Sequence, residues 1–156
     1  MVGRLDYAKG IDLFLVDMVK IINKRPHTHL YIIGDGSERN RLESQCHKLR
    51  LTDHVTFLGA QKNPYKYMAR MDGLVLNSRY EGQGIVLMEA SVLGLQLFFP
   101  KRLEKYNPGL SGSRNIISDI TKARSRPHKL NHLNDYNHHI VRQLDHLFDN
   151  QKFPSN

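Results

Sequence analysis

Hydrophobic residues along the first hundred positions follow two spacings, one typical of helices and one typical of short buried strands. Ile11, Phe14, Leu15, Met18 and Ile22 fall on one helical face, which predicts an amphipathic helix that ends at Pro26. Short apolar runs predict strands at Met1–Arg4, which resembles the end of a strand, and at His29–Ile33, Val55–Leu58, Gly73–Asn77 and Leu95–Phe99.

Three more helices are predicted between these strands. The first carries Leu42, Cys46 and Leu49 on its buried face, with Ser37 as its cap. The others run from Asn63-Pro64 through Met71 and from about Ile85 to Leu93. Strands that alternate with helices are typical of a parallel sheet covered on both faces. The predicted fold class is therefore α/β, a doubly wound, mainly parallel sheet of the Rossmann type.

The hydrophobic pattern weakens beyond Pro100. Residues 101–156 are predicted to form an irregular basic tail with ten Lys and Arg against five Asp and Glu, ending in a helix over Tyr136–Phe148. At 156 residues and 40% hydrophobic composition, the chain is expected to be a single domain over 1–156.

Composition narrows the classes of partner and site. The net charge of +8 favours anionic partners. Cys46 is the only cysteine, which excludes an internal disulfide and a thiolate zinc cage and points to core packing. We expect no metal site at the histidines of the tail, which are typical of a solvated basic face: His128, His132, His138, His139 and His146. No secretory signal or membrane span is expected, so the predicted location is the cytoplasm, with peripheral contact at the inner face of the membrane left open.

Two carboxylates stand at the predicted carboxyl end of the fourth strand. Glu89 is the only charged residue between Gly82 and Pro100, and its burial is costly unless hydrogen bonds are donated to it. Glu81 lies in the loop ahead of the same helix, at the edge where open α/β sheets bind ligands. Two carboxylates suit adjacent hydroxyls of a sugar or ribose. The alternative is a structural role for Glu89, as a cap or in an ion pair with an arginine such as Arg79.

The start of that helix is rich in glycine. Gly82 and Gly84 lack side chains there, so the N–H groups of Gly84, Ile85 and Val86 can meet a phosphate. Arg4 and Lys9 flank the first strand-to-helix turn and can supply the positive charges that a diphosphate needs. The alternative is that both are ordinary solvated surface residues.

Four segments in order resemble a known family: VGRLDYAKG, LYIIGDGSERNRLE, VTFLGAQKNPY and SRYEGQGIVLMEA. They are similar to successive motifs of the carboxyl-terminal, donor-binding domain of retaining family 4 (group 1) glycosyltransferases of the GT-B fold. The resemblance runs from about Val2 to Gly94. The GDG at Gly34–Gly36 has Arg39 in place of a third glycine, so it indicates a turn and not a nicotinamide or flavin site.

The resemblance implies transfer of a sugar from a nucleoside diphosphate sugar to an acceptor hydroxyl, with retained anomeric configuration and without a metal or other cofactor. It implies catalytic roles for Arg4, Lys9 and Glu81, and donor binding by Gly34, Gln61, Gly82, Gly84, Ile85, Val86 and Glu89. Gln61 falls where the family meets the nucleobase, and Glu89 where it meets the ribose hydroxyls. It also implies a missing N-terminal acceptor-binding domain, so that this chain alone is expected to be inactive.

The chain departs from the family pattern after its fourth motif. Gln96 stands where the family has proline, and PKRLEKYNPGLSGSRN replaces a glycine-rich turn. The motif EGQG is similar to the corresponding motif of glycosyltransferase domains in enzymes that modify bacterial cell-wall polymers, including teichoic acids. Two alternatives stay open: a module that binds nucleic acid or another anionic polymer, for which no recognition motif is present, and a non-catalytic glycosyltransferase-like scaffold.

Overall fold

The computed structural model describes residues 1–82 and 84–125. Its α-helices are α1 Ile11–Lys24, α2 Arg39–Lys48, α3 Tyr65–Met68, α4 Ile85–Val92 and α5 Ile116–Lys122. Its strands are β1 Leu30–Ile33, β2 Val55–Gly59, β3 Gly73–Val75 and β4 Gln96–Phe98. Two 3-10 helices, Tyr7–Lys9 and Lys101–Tyr106, precede α1 and follow β4. The alternation of strands and helices confirms the α/β class.

The strands are parallel, as predicted, but they form two pairs and not one continuous ladder. β1 pairs with β2 and β3 pairs with β4. Residues 1–5 run beside β1, with an isolated bridge between Val2 and Ile33 and a 2.9 Å bond from the Gly3 N–H to the Ile33 carbonyl. A cavity of about 340 Å³, lined among others by Met1, Leu30 and Gly73, lies between the amino ends of the two pairs.

The buried side chains form two clusters. The first surrounds α1, and the predicted core face is confirmed because Phe14, Leu15 and Met18 are at most 2% exposed. Cys46 belongs to this cluster at 3% exposure, which confirms its packing role. The second cluster surrounds Leu87 of α4. The apolar face predicted for α1 is therefore the face that it buries.

The helix ends differ in detail from the sequence prediction. Ser37 does not cap α2. The helix starts after Glu38, whose N–H donates to the Leu5 carbonyl, so the N-terminal segment fixes this end. Asn63 does accept from the Tyr65 N–H at 3.1 Å, but α3 ends at Met68, three residues early.

The first part of the predicted basic tail has regular structure. Residues 101–125, which the pattern left irregular, contain the second 3-10 helix and α5. Arg25, just after α1, donates from Nη1 to the carbonyls of Ile120 and Ala123 at 3.0 and 2.7 Å, which ties α5 to α1. The helix predicted over Tyr136–Phe148 lies outside the described residues.

Candidate functional site

Most of the predicted site residues lie at the carboxyl ends of the strands. The segment 1–5 leads into a turn, Asp6–Gly10, which we call the first turn. Strand β3 leads into residues 77–82, which we call the Glu81 loop, and then into α4. Because parallel strands end at the same edge, the first turn and the Glu81 loop meet there, where ligands of open α/β sheets bind.

Lys9 and Glu81, both predicted as site residues, contact each other. Lys9 Nζ lies 3.0 Å from Glu81 Oε2, and their side chains are only 25% and 11% exposed. The Ser78 hydroxyl donates to the same carboxylate oxygen at 2.9 Å, and Ser78 itself is fully buried. Two donors thus satisfy one oxygen of a largely desolvated carboxylate, and they hold Glu81 in one orientation.

A second ion pair joins the start of α1, which follows the first turn, to the Glu81 loop. The Arg79 guanidinium donates two 2.7 Å hydrogen bonds to the Asp12 carboxylate and a 2.9 Å bond to the Tyr7 carbonyl, and it stacks 4.0 Å from the Tyr7 ring. The bond from Arg79 lowers the pKa of the Asp12 carboxyl. The Arg79 N–H also donates to the Ala8 carbonyl at 2.7 Å. The Arg79–Asp12 pair holds together the two backbone segments that carry Lys9 and Glu81. Hydrophobic periodicity did not predict this pair.

Glu89 has a different partner from the arginine considered above. Its Oε1 accepts a 2.8 Å hydrogen bond from the Tyr65 hydroxyl at the start of α3. The ion pair with Arg79 is therefore wrong, because Arg79 is engaged by Asp12. Burial, followed by the bond to Glu89, raises the pKa of Tyr65 to about 12. A neutral phenol thus compensates for the desolvation of this carboxylate and leaves its other oxygen available for hydroxyl donors.

The start of α4 is closed on one side and open on the other. Gly84 precedes the helix at φ 56°, and a Cβ there would lie 2.3 Å from Oδ1 of the fully buried Asn107. Ile85 is 41% exposed, and within the described part of the chain no protein acceptor takes the N–H groups of Ile85 and Val86. Gly82 has nothing within 4 Å of its Cβ position. An anion can thus reach these amides from the solvent side, while Asn107 covers Gly84.

Three other predicted residues are placed as follows. The Arg4 side chain is 86% exposed, with Nε 3.5 Å from Asp6. Gln61 is folded back, since it donates to the Leu58 carbonyl at 2.7 Å and accepts from the Tyr67 hydroxyl at 3.1 Å. Gly34 has φ 139°, and a Cβ there would lie 1.9 Å from the Gly3 carbonyl oxygen. Gly34 therefore lets the N-terminal segment approach β1.

Arg102 is a basic residue at this edge that the sequence prediction missed. Its Nη2 donates to the Ser78 carbonyl at 2.8 Å. The segment PKRLEKYNPGLSGSRN, which departs from the family pattern, was a sign that this region differs. Its charges, however, resembled those of a solvated tail and did not single out Arg102. Only the fold shows that this segment returns to the Glu81 loop.

The described residues away from this edge contain fewer groups that could bind a charged ligand or a metal. The cavity of about 340 Å³ opens at the opposite, amino-terminal end of the strands and is lined mostly by apolar side chains. Across residues 1–82 and 84–125, no cluster of three or more metal-ligating side chains occurs. In the same residues, no helix has the length and apolar character needed to cross a membrane. The tail histidines considered as ligands lie outside the described residues.

Comparison with known proteins identifies the family. Residues 1–98 match the family described as glycosyl transferases group 1. The chain belongs to this family. Over 94 residues it is 35% identical to the uncharacterized glycosyltransferase MJ1059 of Methanocaldococcus jannaschii. This aligned region covers 60% of this chain and 23% of that protein. Over 87 residues it is 34% identical to the lipopolysaccharide core biosynthesis glycosyltransferase LpsD of Rhizobium meliloti. This second aligned region covers 56% of this chain and 24% of that protein.

A solved structure shares the fold. A mutant of S. aureus TarM, in complex with Fondaparinux, alpha-GlcNAc-glycerol and UDP, superposes with a TM-score of 0.66 at 22% identity. The superposition covers 78% of this chain and 26% of that one. The α/β fold predicted from the sequence is thus that of group 1 glycosyltransferases. The chain spans about a quarter of the length of the curated relatives it matches.

Proposed function

We propose that this chain is the donor-binding part of a retaining glycosyltransferase, which moves a sugar from a nucleoside diphosphate sugar to an acceptor hydroxyl. The observation that carries the proposal is the contact between Lys9 and Glu81 beside the open start of α4. It joins a cation, a carboxylate suited to hydroxyl groups, and backbone N–H groups that have no acceptor among the described residues, all at one sheet edge. This combination matches a ligand that carries both phosphates and hydroxyls.

The diphosphate is proposed to bind at the start of α4. The N–H groups of Ile85 and Val86 and the positive end of the helix dipole face it, and Arg4 and Lys9 add full charges. When the bond between the anomeric carbon and the phosphate oxygen breaks, negative charge grows on the leaving diphosphate. Fixed cations and backbone N–H groups stabilise that charge without reorganisation, so this mechanism requires no metal or cofactor.

The two glutamates are proposed to bind hydroxyl groups. Glu81, held by Lys9 and Ser78, faces the donor sugar, and Glu89 accepts from the ribose hydroxyls with the oxygen that Tyr65 does not use. A ligand that lacks these hydroxyls leaves the carboxylates unpaired on binding. Such mismatches of polar groups discriminate strongly between ligands.

The wider setting is also a proposal. A relative acts in lipopolysaccharide core biosynthesis, which supports an acceptor of the polysaccharide or cell-wall class. The acceptor is proposed to bind to a separate domain of a longer enzyme, in the cytoplasm, so the 156-residue chain alone binds donor and does not turn it over. In this setting no specific nucleic acid partner is needed.

A thermal-shift screen of UDP, GDP, ADP and their sugars tests the donor site. The wild-type chain should be stabilised by at least one of these nucleotides, because a ligand at 100 times its Kd adds about 2.7 kcal/mol to the stability of a folded protein. Glu89→Ala should abolish the shift. Glu43→Ala is the matched control, since Glu43 lies on α2 and pairs only with Arg39 in the described residues.

A wild-type chain that responds to none of these nucleotides would contradict the proposal. Saturable binding of a short oligonucleotide above about 200 mM salt would favour the anionic-polymer alternative, because purely electrostatic binding is lost there. Joining the chain to an acceptor-binding domain and finding nucleotide binding without transfer would favour the scaffold alternative.

A further inference from the structure

Four basic side chains flank the edge where the first turn meets the Glu81 loop, and three of them have carboxylate partners. Lys9 pairs with Glu81, Arg79 pairs with Asp12, and Arg4 lies 3.5 Å from Asp6. For Arg102, no carboxylate of the described residues lies within 4 Å. Its charge is therefore the one at this edge that no described acid balances.

The Arg102 guanidinium is held in one orientation by a single hydrogen bond. Nη2 donates a 2.8 Å hydrogen bond to the carbonyl of Ser78, the residue whose hydroxyl holds Glu81. This bond uses one of the five N–H donors of a guanidinium, and the side chain is exposed to solvent. A partly satisfied, exposed guanidinium beside a ligand site can bind a phosphate with two parallel hydrogen bonds.

The backbone that carries Arg102 is rigidly held. In the 3-10 helix Lys101–Tyr106, Leu103 is 2% exposed, and the Glu104 carboxylate accepts from the Gly112 N–H at 2.8 Å. Asn107 follows this helix, is fully buried and donates from Nδ2 to the Leu103 carbonyl at 2.9 Å. The segment is therefore fixed before any ligand arrives.

The segment that contains this 3-10 helix contacts the site at two points. At one end Arg102 contacts Ser78 in the Glu81 loop, and just past the other end Asn107 meets Gly84 at the start of α4. The helix thus lies along the loop between the sugar-binding carboxylate and the open amides of Ile85 and Val86. These two contacts place Arg102 on a segment that adjoins both the Glu81 loop and the residue just before α4.

We propose that Arg102 is a ligand-binding residue that contacts the diphosphate of the donor and gives the site its preference for diphosphates over monophosphates. This inference rests on the proposed function. Glu81 offsets part of the charge that Lys9 brings to the site, so a ligand with two phosphates leaves negative charge for a further cation. Arg102 supplies a full positive charge for the second phosphate.

Calorimetric titration of the chain with UDP, GDP and ADP, and with UMP, GMP and AMP, tests this role. Arg102→Ala should weaken binding of the preferred diphosphate about tenfold and binding of its monophosphate less than twofold, as expected for loss of a charged hydrogen-bond donor. Arg102→Lys should recover part of the difference, because it restores the charge without the bidentate geometry.

Lys105→Ala is the matched control. It removes an equal charge from the same 3-10 helix, where Lys105 lies over the Tyr106 ring, and it should leave both affinities unchanged. The inference is overturned if the wild type binds nucleotides but Arg102→Ala leaves the ratio of diphosphate to monophosphate affinity unchanged, whether or not the melting temperature falls. A wild type that binds no nucleotide overturns the proposed function, and this inference with it.

Discussion

Glu89 shows how far a single residue can be interpreted from sequence. A lone carboxylate in an apolar helix needs a donor, and the sequence predicts that need. It does not identify the donor, which is the hydroxyl of Tyr65, 24 positions earlier in the chain. The arginine alternative failed because Asp12 takes Arg79 in a two-bond ion pair. Competition among partners is decided by the fold.

The Tyr65–Glu89 contact predicts a pH dependence of stability at high pH. The pKa of Tyr65 is raised from 10.0 to about 12 in the folded chain, so the neutral phenol stabilises the fold fully below pH 10. That contribution should be lost as the pH rises from 10 through 12. Urea unfolding at about pH 9 and about pH 11 should show a loss in the wild type that Tyr65→Phe reduces.

Tyr80→Phe serves as the control for that measurement, because Tyr80 is 70% exposed. It should keep the wild-type loss between about pH 9 and about pH 11. An unchanged loss in Tyr65→Phe as well would show that the phenol does not contribute to stability through its burial and its bond to Glu89.

At the scale of elements, the site depends on the close contact of the first turn with the Glu81 loop. Gly10 ends the first 3-10 helix and precedes α1 in the left-handed conformation, at φ 60°. The Asn77 side chain donates to its carbonyl, and a Cβ on Gly10 would lie 2.3 Å from the Asn77 carbonyl oxygen. Only glycine allows the two segments to approach closely enough for Lys9 to reach Glu81.

Gly10→Ala should therefore destabilise the chain by about 2 kcal/mol or more, through an unfavourable φ and a backbone clash. Gly82→Ala, in the Glu81 loop, has open space at its Cβ position and should change stability by less than about 0.5 kcal/mol. Denaturant unfolding of both variants checks this difference. Equal stabilities would show that the turn can move away from the loop without cost.

At the scale of the whole molecule, the two core clusters are linked. Phe98 of β4 belongs to the cluster around α1, whereas Val2 at the start of the chain packs against the cluster around α4. Each of the two clusters thus contains side chains from both the early and the late part of the described chain. The chain is expected to unfold in one cooperative step.

Two leucines of α1 give a direct test of this packing. Leu15 is fully buried, and Leu15→Ala should cost about 2–5 kcal/mol in unfolding free energy. Leu13 is 45% exposed, and Leu13→Ala should cost less than about 1 kcal/mol. Chemical denaturation followed by circular dichroism and by tyrosine fluorescence should give coincident curves for both. Separate transitions for the two probes would contradict a linked core.

The sequence by itself determined the alternating strands and helices before Pro100 and the chemical types of the site residues. Helical spacing in Ile11–Ile22 and the alternation of short apolar runs with helices are local properties, and they were enough to predict the α/β class. The four motifs predicted the family to which the chain belongs. The roles of the site residues stay predictions, because they depend on a ligand and not on the fold.

Only the tertiary structure decided which of these residues meet. Lys9 and Glu81 are 72 positions apart, Arg79 and Asp12 are 67 apart, and Arg102 reaches back 24 positions to Ser78. The segment 1–5 likewise lies beside β1, about 30 positions later in the chain, where Val2 forms a bridge with Ile33. Local periodicity reports which face of an element is buried, but partners distant in sequence are chosen by packing and by competition for charge, which exist only once the chain is folded.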